Sequence, residues 1–336
     1  MSVLAKLANG VDAAFSRQED AYALGLARAA FATILTILLL AHVGAVGAYF
    51  SDESVIGGRF ARLAFSDRWS IFLPPQKGQE DAWHAFIYVA DPTWVRLIFG
   101  AGVVAHLLWV VGLFTRTAGF VCLGLWVSLM GRNPMLYAYP DQFAMAMLVL
   151  FALTPAGRGF SLDARWRRRR GKELLTAPVW CRRLVQFQLA IVYLSTGLAK
   201  HGKTWHEDGT ALYYTLVNPY NRHFDLGGAW ASLQPWVLRP ATWLTLYWEL
   251  AFCIFVFANW IREARSPAKW PRDWRWLFLG LGVMVHGGVQ LLLYTVAFSP
   301  MVLATYLVFL QPDEARRLVA WVRLRLGFAP DEGRAP

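Results

Sequence analysis

Residues 24–50 read LGLARAAFATILTILLLAHVGAVGAYF, an apolar run interrupted by a single arginine, Arg28, and a single histidine, His42. A helix rises about 1.5 Å per residue and the hydrocarbon core of a bilayer is about 30 Å thick, so roughly 20 mostly apolar residues suffice to cross it. The run exceeds that length. Val46-Gly47-Ala48 offers a small-residue cleavage site, which would make the segment a secretory leader. Its apolar stretch outruns the usual core of such a leader, so it reads as a retained span.

Working outward, comparable runs occupy residues 93–114, 117–130, 142–154, 179–199, 241–260, 276–298 and 300–310. Those at 117–130, 142–154 and 300–310 are short for a crossing. The expected fold is all-α, a polytopic transmembrane helix bundle of about eight spans with interfacial helices. Composition agrees, since 57% of the residues are apolar and only 16% charged. No long linker or internal repeat divides the chain. The expected division is a cytoplasmic N-terminal segment, 1–20, one bundle, 21–312, and a basic amphipathic cytoplasmic tail, 313–336.

Lysine and arginine set the expected orientation, because cytoplasmic loops carry their excess. Residues 158–172, with the run Arg167-Arg168-Arg169-Arg170, then 262–275 and 316–334 are rich in them. The alternate loops are leaner, with Arg59, Arg62, Arg68 and Lys77 in one and Lys200, Lys203, Arg222 and Arg239 in another. A multi-pass protein of the cell membrane with both termini cytoplasmic follows. The net charge of +11 then reflects orientation and attraction to anionic headgroups, not nucleic acid. Trp69, Trp94, Trp205 and Trp276 fall near helix ends, as an aromatic belt would place them. The loops 51–92 and 201–240 are expected to fold back as short interfacial helices, and 314–328 has the pattern of a basic amphipathic helix. Residues 330–336 read as a frayed end. Cys122, Cys181 and Cys253 are widely spaced, which suggests neither a disulfide framework nor a metal site.

Ionisable side chains at membrane depth are costly and mark the places to seek function. The candidates are Arg28, His42, His106, Asp141, Lys200, Glu249 and His286, with Gln186 and Gln290 as neutral companions. Gln186, Tyr193, Gly197 and Lys200 recur at helical spacing along one stripe, which should face the bundle interior. Lys200 closes that helix at the outer membrane face, where a shielded amine can act as a base and an unshielded one merely snorkels to headgroups. Thr242, Thr245, Glu249 and Cys253 form a second stripe. A lone carboxylate at that depth is improbable, so Glu249 is expected to be protonated or bonded to a polar group such as His286. Pinning of helices by such groups is the simpler reading. Asp141 opens the run at 142–154 on the same side as Lys200, and helix-end capping accounts for it without chemistry.

The segments Gly112-Leu113-Phe114-Thr115-Arg116, Arg132-Asn133-Pro134, Asp141, Leu153-Thr154-Pro155 and Ser161-Leu162-Asp163 resemble the horizontally transferred transmembrane (HTTM) domain. That domain is the membrane part of the vitamin K-dependent gamma-carboxylase and its bacterial relatives. Val192-Tyr193-Leu194-Ser195-Thr196-Gly197-Leu198-Ala199-Lys200, then Trp205 and Gly209-Thr210-Ala211-Leu212, is similar to the family's Tyr, Gly-x-x-Lys, Trp, Gly segment. Glu249, His286 and Phe298-Ser299-Pro300 match in order, and the resemblance covers residues 21–312.

The resemblance implies that Lys200 matches the carboxylase's catalytic base. In that chemistry the amine deprotonates vitamin K hydroquinone, oxygen attacks, and the strong base so formed takes a gamma proton from a peptide glutamate before carbon dioxide adds. It further implies Asp141, Glu249 and His286 as companions of the base, and Tyr193, Gly197, Gln186 and Trp205 around a quinol-like cofactor. Two departures point away from protein gamma-carboxylation: Asp141 stands where the carboxylase has a functionally important histidine, and no large lumenal domain follows Leu310.

Three functions compete. The first is a membrane oxidoreductase or carboxylase-like enzyme acting on a quinol or other lipophilic small molecule. The second is a non-catalytic membrane partner in maturation or export of a secreted peptide. The third is a transporter, for which no inverted repeat or broken-helix pair speaks. No P-loop, GxGxxG, HExxH or paired-cysteine motif occurs, so neither nucleotide nor metal is indicated.

Overall fold

The computed structural model describes residues 15–51, 53–54, 91–136, 138–173, 175–264 and 273–328. Most of the loop expected at 51–92, with Arg59, Arg62, Arg68, Trp69 and Lys77, lies outside the described residues. So do much of the basic segment 262–275 and the end at 330–336.

In chain order the helices are α1 (Tyr22–Leu40), α2 (Val46–Phe50), α3 (Pro92–Val111), α4 (Thr115–Arg132), α5 (Tyr139–Leu153) and α6 (Leu162–Arg169). There follow α7 (Val179–Ala199), α8 (Lys203–His206), α9 (Ala211–Val217), α10 (Ala229–Leu233), α11 (Arg239–Ala264), α12 (Arg275–Leu292), α13 (Phe298–Thr305) and α14 (Pro312–Arg325). A π-helical turn, Gln234–Leu238, leads into α11, and a 3-10 turn, Tyr306–Phe309, continues α13. Two strands of two residues, β1 (Gln18–Glu19) and β2 (Ala177–Pro178), pair antiparallel.

Each apolar run of the sequence is therefore helical. Among the described residues four helical stretches are long and apolar enough to cross a membrane: Tyr22–Phe50, Pro92–Val111, Ala229–Ala264 and Arg275–Leu292. Pro140–Leu153 and Phe298–Phe309 are shorter apolar helices. The all-α membrane bundle stands, and the short runs at 117–130 and 142–154 become α4 and α5. The loop at 201–240 forms α8, α9 and α10, the short helices expected there.

The chain falls into two compact units, Arg28–Leu175 and Met1–Ala27 with Thr176–Pro336. In the first, Phe31 packs against Trp109, Phe143 and Phe151 in a buried aromatic centre. Arg28 is buried, and its guanidinium donates to the carbonyls of Trp109, Val110 and Phe160. A buried charge is thus matched by backbone carbonyls in place of a carboxylate. Gly112 adopts φ 73° to end α3. The Asp163 carboxylate then accepts from the backbone N–H groups of Phe114 and Thr115, at 3.0 Å each, and from the Thr115 hydroxyl at 2.8 Å. Arg132 donates to the Ser51 carbonyl at 2.6 Å and Asn133 to that of Tyr49 at 3.1 Å. His42 and His106 each bond a carbonyl one turn back, Leu38 and Gly102.

In the second unit α7 packs along α11. Gly197 makes the approach close: a Cβ there would meet Leu250 Cδ2 at 2.9 Å and the Leu250 backbone N at 3.4 Å. Near the start of α7, Arg182, at 2% exposure, is held by Glu19 at 2.7 Å and Glu263 at 3.2 Å. Gln311 donates to Glu263 at 2.9 Å. Arg275 pairs with Glu314 at 2.7 Å, and Arg316 with Asp20. This network was not anticipated from sequence.

Candidate functional site

The predicted stripe of α7 faces inward: Gln186, Tyr193 and Gly197 are buried and Lys200 is partly so. Lys200 follows the last turn of α7, and its side chain folds back so that Nζ donates to the Thr196 carbonyl at 3.3 Å. The same Nζ lies 2.5 Å from Glu249 Oε2, with side-chain exposures of 19% and 11%. The Thr196 hydroxyl lies 3.3 Å from the same carboxylate oxygen, its single proton shared with the Val192 and Tyr193 carbonyls at 3.0 and 3.1 Å. Trp205 of α8 presents its ring 5.4 Å from the amine, within reach of a cation–π attraction. His206 bonds the Lys200 carbonyl at 2.9 Å and so fixes the backbone that carries the amine. Glu249 is thus bonded to a polar group, as expected, and the partner is Lys200. The close approach at Gly197 explains this, since it brings α11 against the end of α7.

His286 belongs to a neighbouring cluster. Its Nε2 is 2.5 Å from the Tyr193 hydroxyl, and Nδ1 is 3.2 Å from Ser299 Oγ. The Tyr193 hydroxyl also meets that of Tyr306 at 2.6 Å. The four side chains are buried and come from α7, α12, α13 and the turn after it, with Tyr193 packed on Trp248 and Phe252 of α11. Gly282 makes room for the Tyr306 hydroxyl, because a Cβ there would collide with it. A line of hydroxyls and one imidazole in hydrogen-bond contact can hold or pass a proton without exposing a charge.

Two further candidates take structural positions. Gln186 donates to the Val308 carbonyl at 2.9 Å and accepts from Trp260 at 2.5 Å, near the opposite end of α7 from Lys200. Asp141 lies in the unit Arg28–Leu175, in the first turn of α5, and accepts from the Ala138 N–H at 2.8 Å. It caps the helix one turn inside the position expected for a cap.

Sequence reasoning missed Tyr306, Thr196 and Ser299. Ser299 lay inside the quoted Phe298-Ser299-Pro300 segment without a role of its own, and Tyr306, seven residues on at helical spacing, went unremarked in an apolar run. Thr196 lay inside the quoted Tyr193–Lys200 block.

No curated protein and no solved structure matches the chain. Residues 75–313 match the HTTM domain, over well more than half of the sequence. Together with its membrane-length apolar helices, that match identifies the chain as a multi-pass integral membrane protein belonging to the HTTM domain family.

Proposed function

We propose that the chain is a membrane enzyme that takes a proton from a lipophilic hydroxyl substrate of the quinol class, with Lys200 as the base. The single observation that carries this reading is the shielded pair Lys200–Glu249 under the ring of Trp205. A structural pair would be satisfied by the carboxylate alone. Here a threonine, an indole and a fixed backbone turn also converge on the same few ångströms.

An amine must be neutral to accept a proton. The Glu249 carboxylate at 2.5 Å can take the ammonium proton, turning two poorly solvated charges into a neutral pair and freeing the Lys200 lone pair. Thr196 sets its hydroxyl against the oxygen that receives the proton, 3.3 Å away. Trp205 offers an aromatic wall for a flat ring, and Tyr193, with His286, supports α7 from within the bundle. A basic amine with an acid beside it fits a quinol, which when bound would supply an acidic hydroxyl and reducing electrons. Asp141 joins this reading only as a companion, through its place in the family pattern.

The same reading takes the eight helical runs as eight spans, both termini as cytoplasmic and the cell membrane as the location, with Lys200 near the outer face. The arginine bias supports it. The test is mass spectrometry of lipophilic molecules retained by the purified protein, with turnover of a naphthoquinol by the wild type and Lys200→Ala. Loss of turnover by about 10²-fold or more is expected, measured on folded variant protein well below its own unfolding midpoint. Equal turnover in the variant sinks the proposal. A co-purified secreted peptide without any quinone would favour the non-catalytic partner instead.

A further inference from the structure

The end of α14 presents an apolar and cationic face that the other described residues leave uncovered. Its first turns are bolted down. Ala315 is buried with Ala23 and Leu310, Glu314 pairs with Arg275 at 2.7 Å, and Arg316 pairs with Asp20 and lies over the Tyr22 ring. Beyond this point the burial stops. Leu318, Trp321, Val322, Leu324, Leu326 and Phe328 are all exposed, from 38% at Leu318 to 67% at Leu326.

Three observations say what covers that face. The first is continuity: the buried turn Tyr306–Phe309 closes the shorter apolar helix Phe298–Phe309, and α14 begins at Pro312, directly beyond that apolar stretch. The second is charge. The acidic residues of α14, Asp313 and Glu314, lie in its first turn, and residues 315–328 contain arginines and no acid. The third is register. Arg317, Trp321 and Leu324 recur at helical spacing on the exposed side, with Arg325 flanking them and placed over the Trp321 ring at 5.5 Å. Trp274 and Trp276, exposed on either side of Arg275, mark the same edge as interfacial.

We propose that residues 317–328 form a surface arm that binds anionic phospholipid, with Trp321 and Leu324 sunk below the headgroups and Arg317 and Arg325 on the phosphates. Long arginine stems permit both at once, the stem covering apolar surface while the guanidinium reaches the phosphate plane. A neutral surface would take the apolar side chains and leave the arginines unused. A soluble acidic partner would need no bilayer edge.

Hydrogen exchange of the backbone amides in residues 318–328 tests this, with the full-length protein in nanodiscs of phosphatidylcholine alone or mixed with phosphatidylglycerol. Exchange is expected to slow by about tenfold or more in the mixed discs, since each arginine at an anionic surface is worth roughly a fivefold change. Arg317→Gln/Arg325→Gln should reduce the difference to about threefold or less, while exchange in α12 stays the same and certifies the fold. Equal exchange in the two lipids, or a double variant that keeps the full difference, overturns the proposal. So does protection that persists in neutral detergent through a co-purified protein.

Discussion

Removing one partner of a shielded ion pair leaves the other charge desolvated and alone, a loss of about 3–5 kcal/mol, whereas replacing both with apolar groups is often near neutral. Lys200→Met is therefore expected to lower the unfolding midpoint in detergent more than Lys200→Met/Glu249→Leu does. Strictly additive losses across the cycle would show the two side chains to be uncoupled. The stripe Gln186, Tyr193, Gly197 and Lys200 was legible because spacing alone fixes a helix face. The identity of Glu249's partner was not, because spacing says nothing of the height at which a neighbouring helix passes. That height depends on Gly197 admitting Leu250, a fact of packing between two elements. Tyr306 escaped for a related reason: its hydroxyl gains meaning only beside Tyr193 and opposite the missing side chain of Gly282.

Among the elements, α4 shows how a helix begins in a tight corner. Phe114 takes φ 47°, and no side chain of the cap residue itself meets the first N–H groups. Asp163 supplies the acceptor from across the sequence. Asp163→Ala is expected to cost about 1–2 kcal/mol through the lost cap. Asp163→Asn, which keeps an acceptor, should recover part of it; the comparison is read by thermal unfolding, and equal midpoints for wild type and Asp163→Ala would refute the capping role. The segments 112–116 and 161–163 stood out in the sequence as one pattern, and their hydrogen bonds supply a structural reason for it. Apolar length gave the helices themselves away, while the short runs at 117–130 and 142–154 were harder to bound because polar residues such as Thr115, Arg132 and Asp141 lie within the helices at their ends.

At the scale of the whole molecule, the distribution of arginine makes the proposed orientation testable. Tyr220, which is 89% exposed, lies in the loop assigned to the outer face, and Arg168 in the basic segment assigned to the cytoplasm. In intact cells Tyr220→Cys is expected to react with a membrane-impermeant thiol reagent, and Arg168→Cys only after permeabilisation. The reverse pattern would invert the topology. Cys122 and Cys181 are buried, so the native background falls chiefly on Cys253.

The ion pair between Asp20 and Arg316 carries a consequence for the path of the chain. Asp20 precedes α1 and Arg316 follows the last apolar turn, and two side chains in contact cannot stand on opposite sides of about 30 Å of hydrocarbon. The backbone between them must traverse the bilayer an even number of times. The pairing of β1 with β2 applies the same parity to the stretch from α1 to the start of α7, and Arg275–Glu314 applies it to the stretch from α12 to α14. The eight spans proposed above meet this parity in each stretch separately, an agreement independent of any count of arginines.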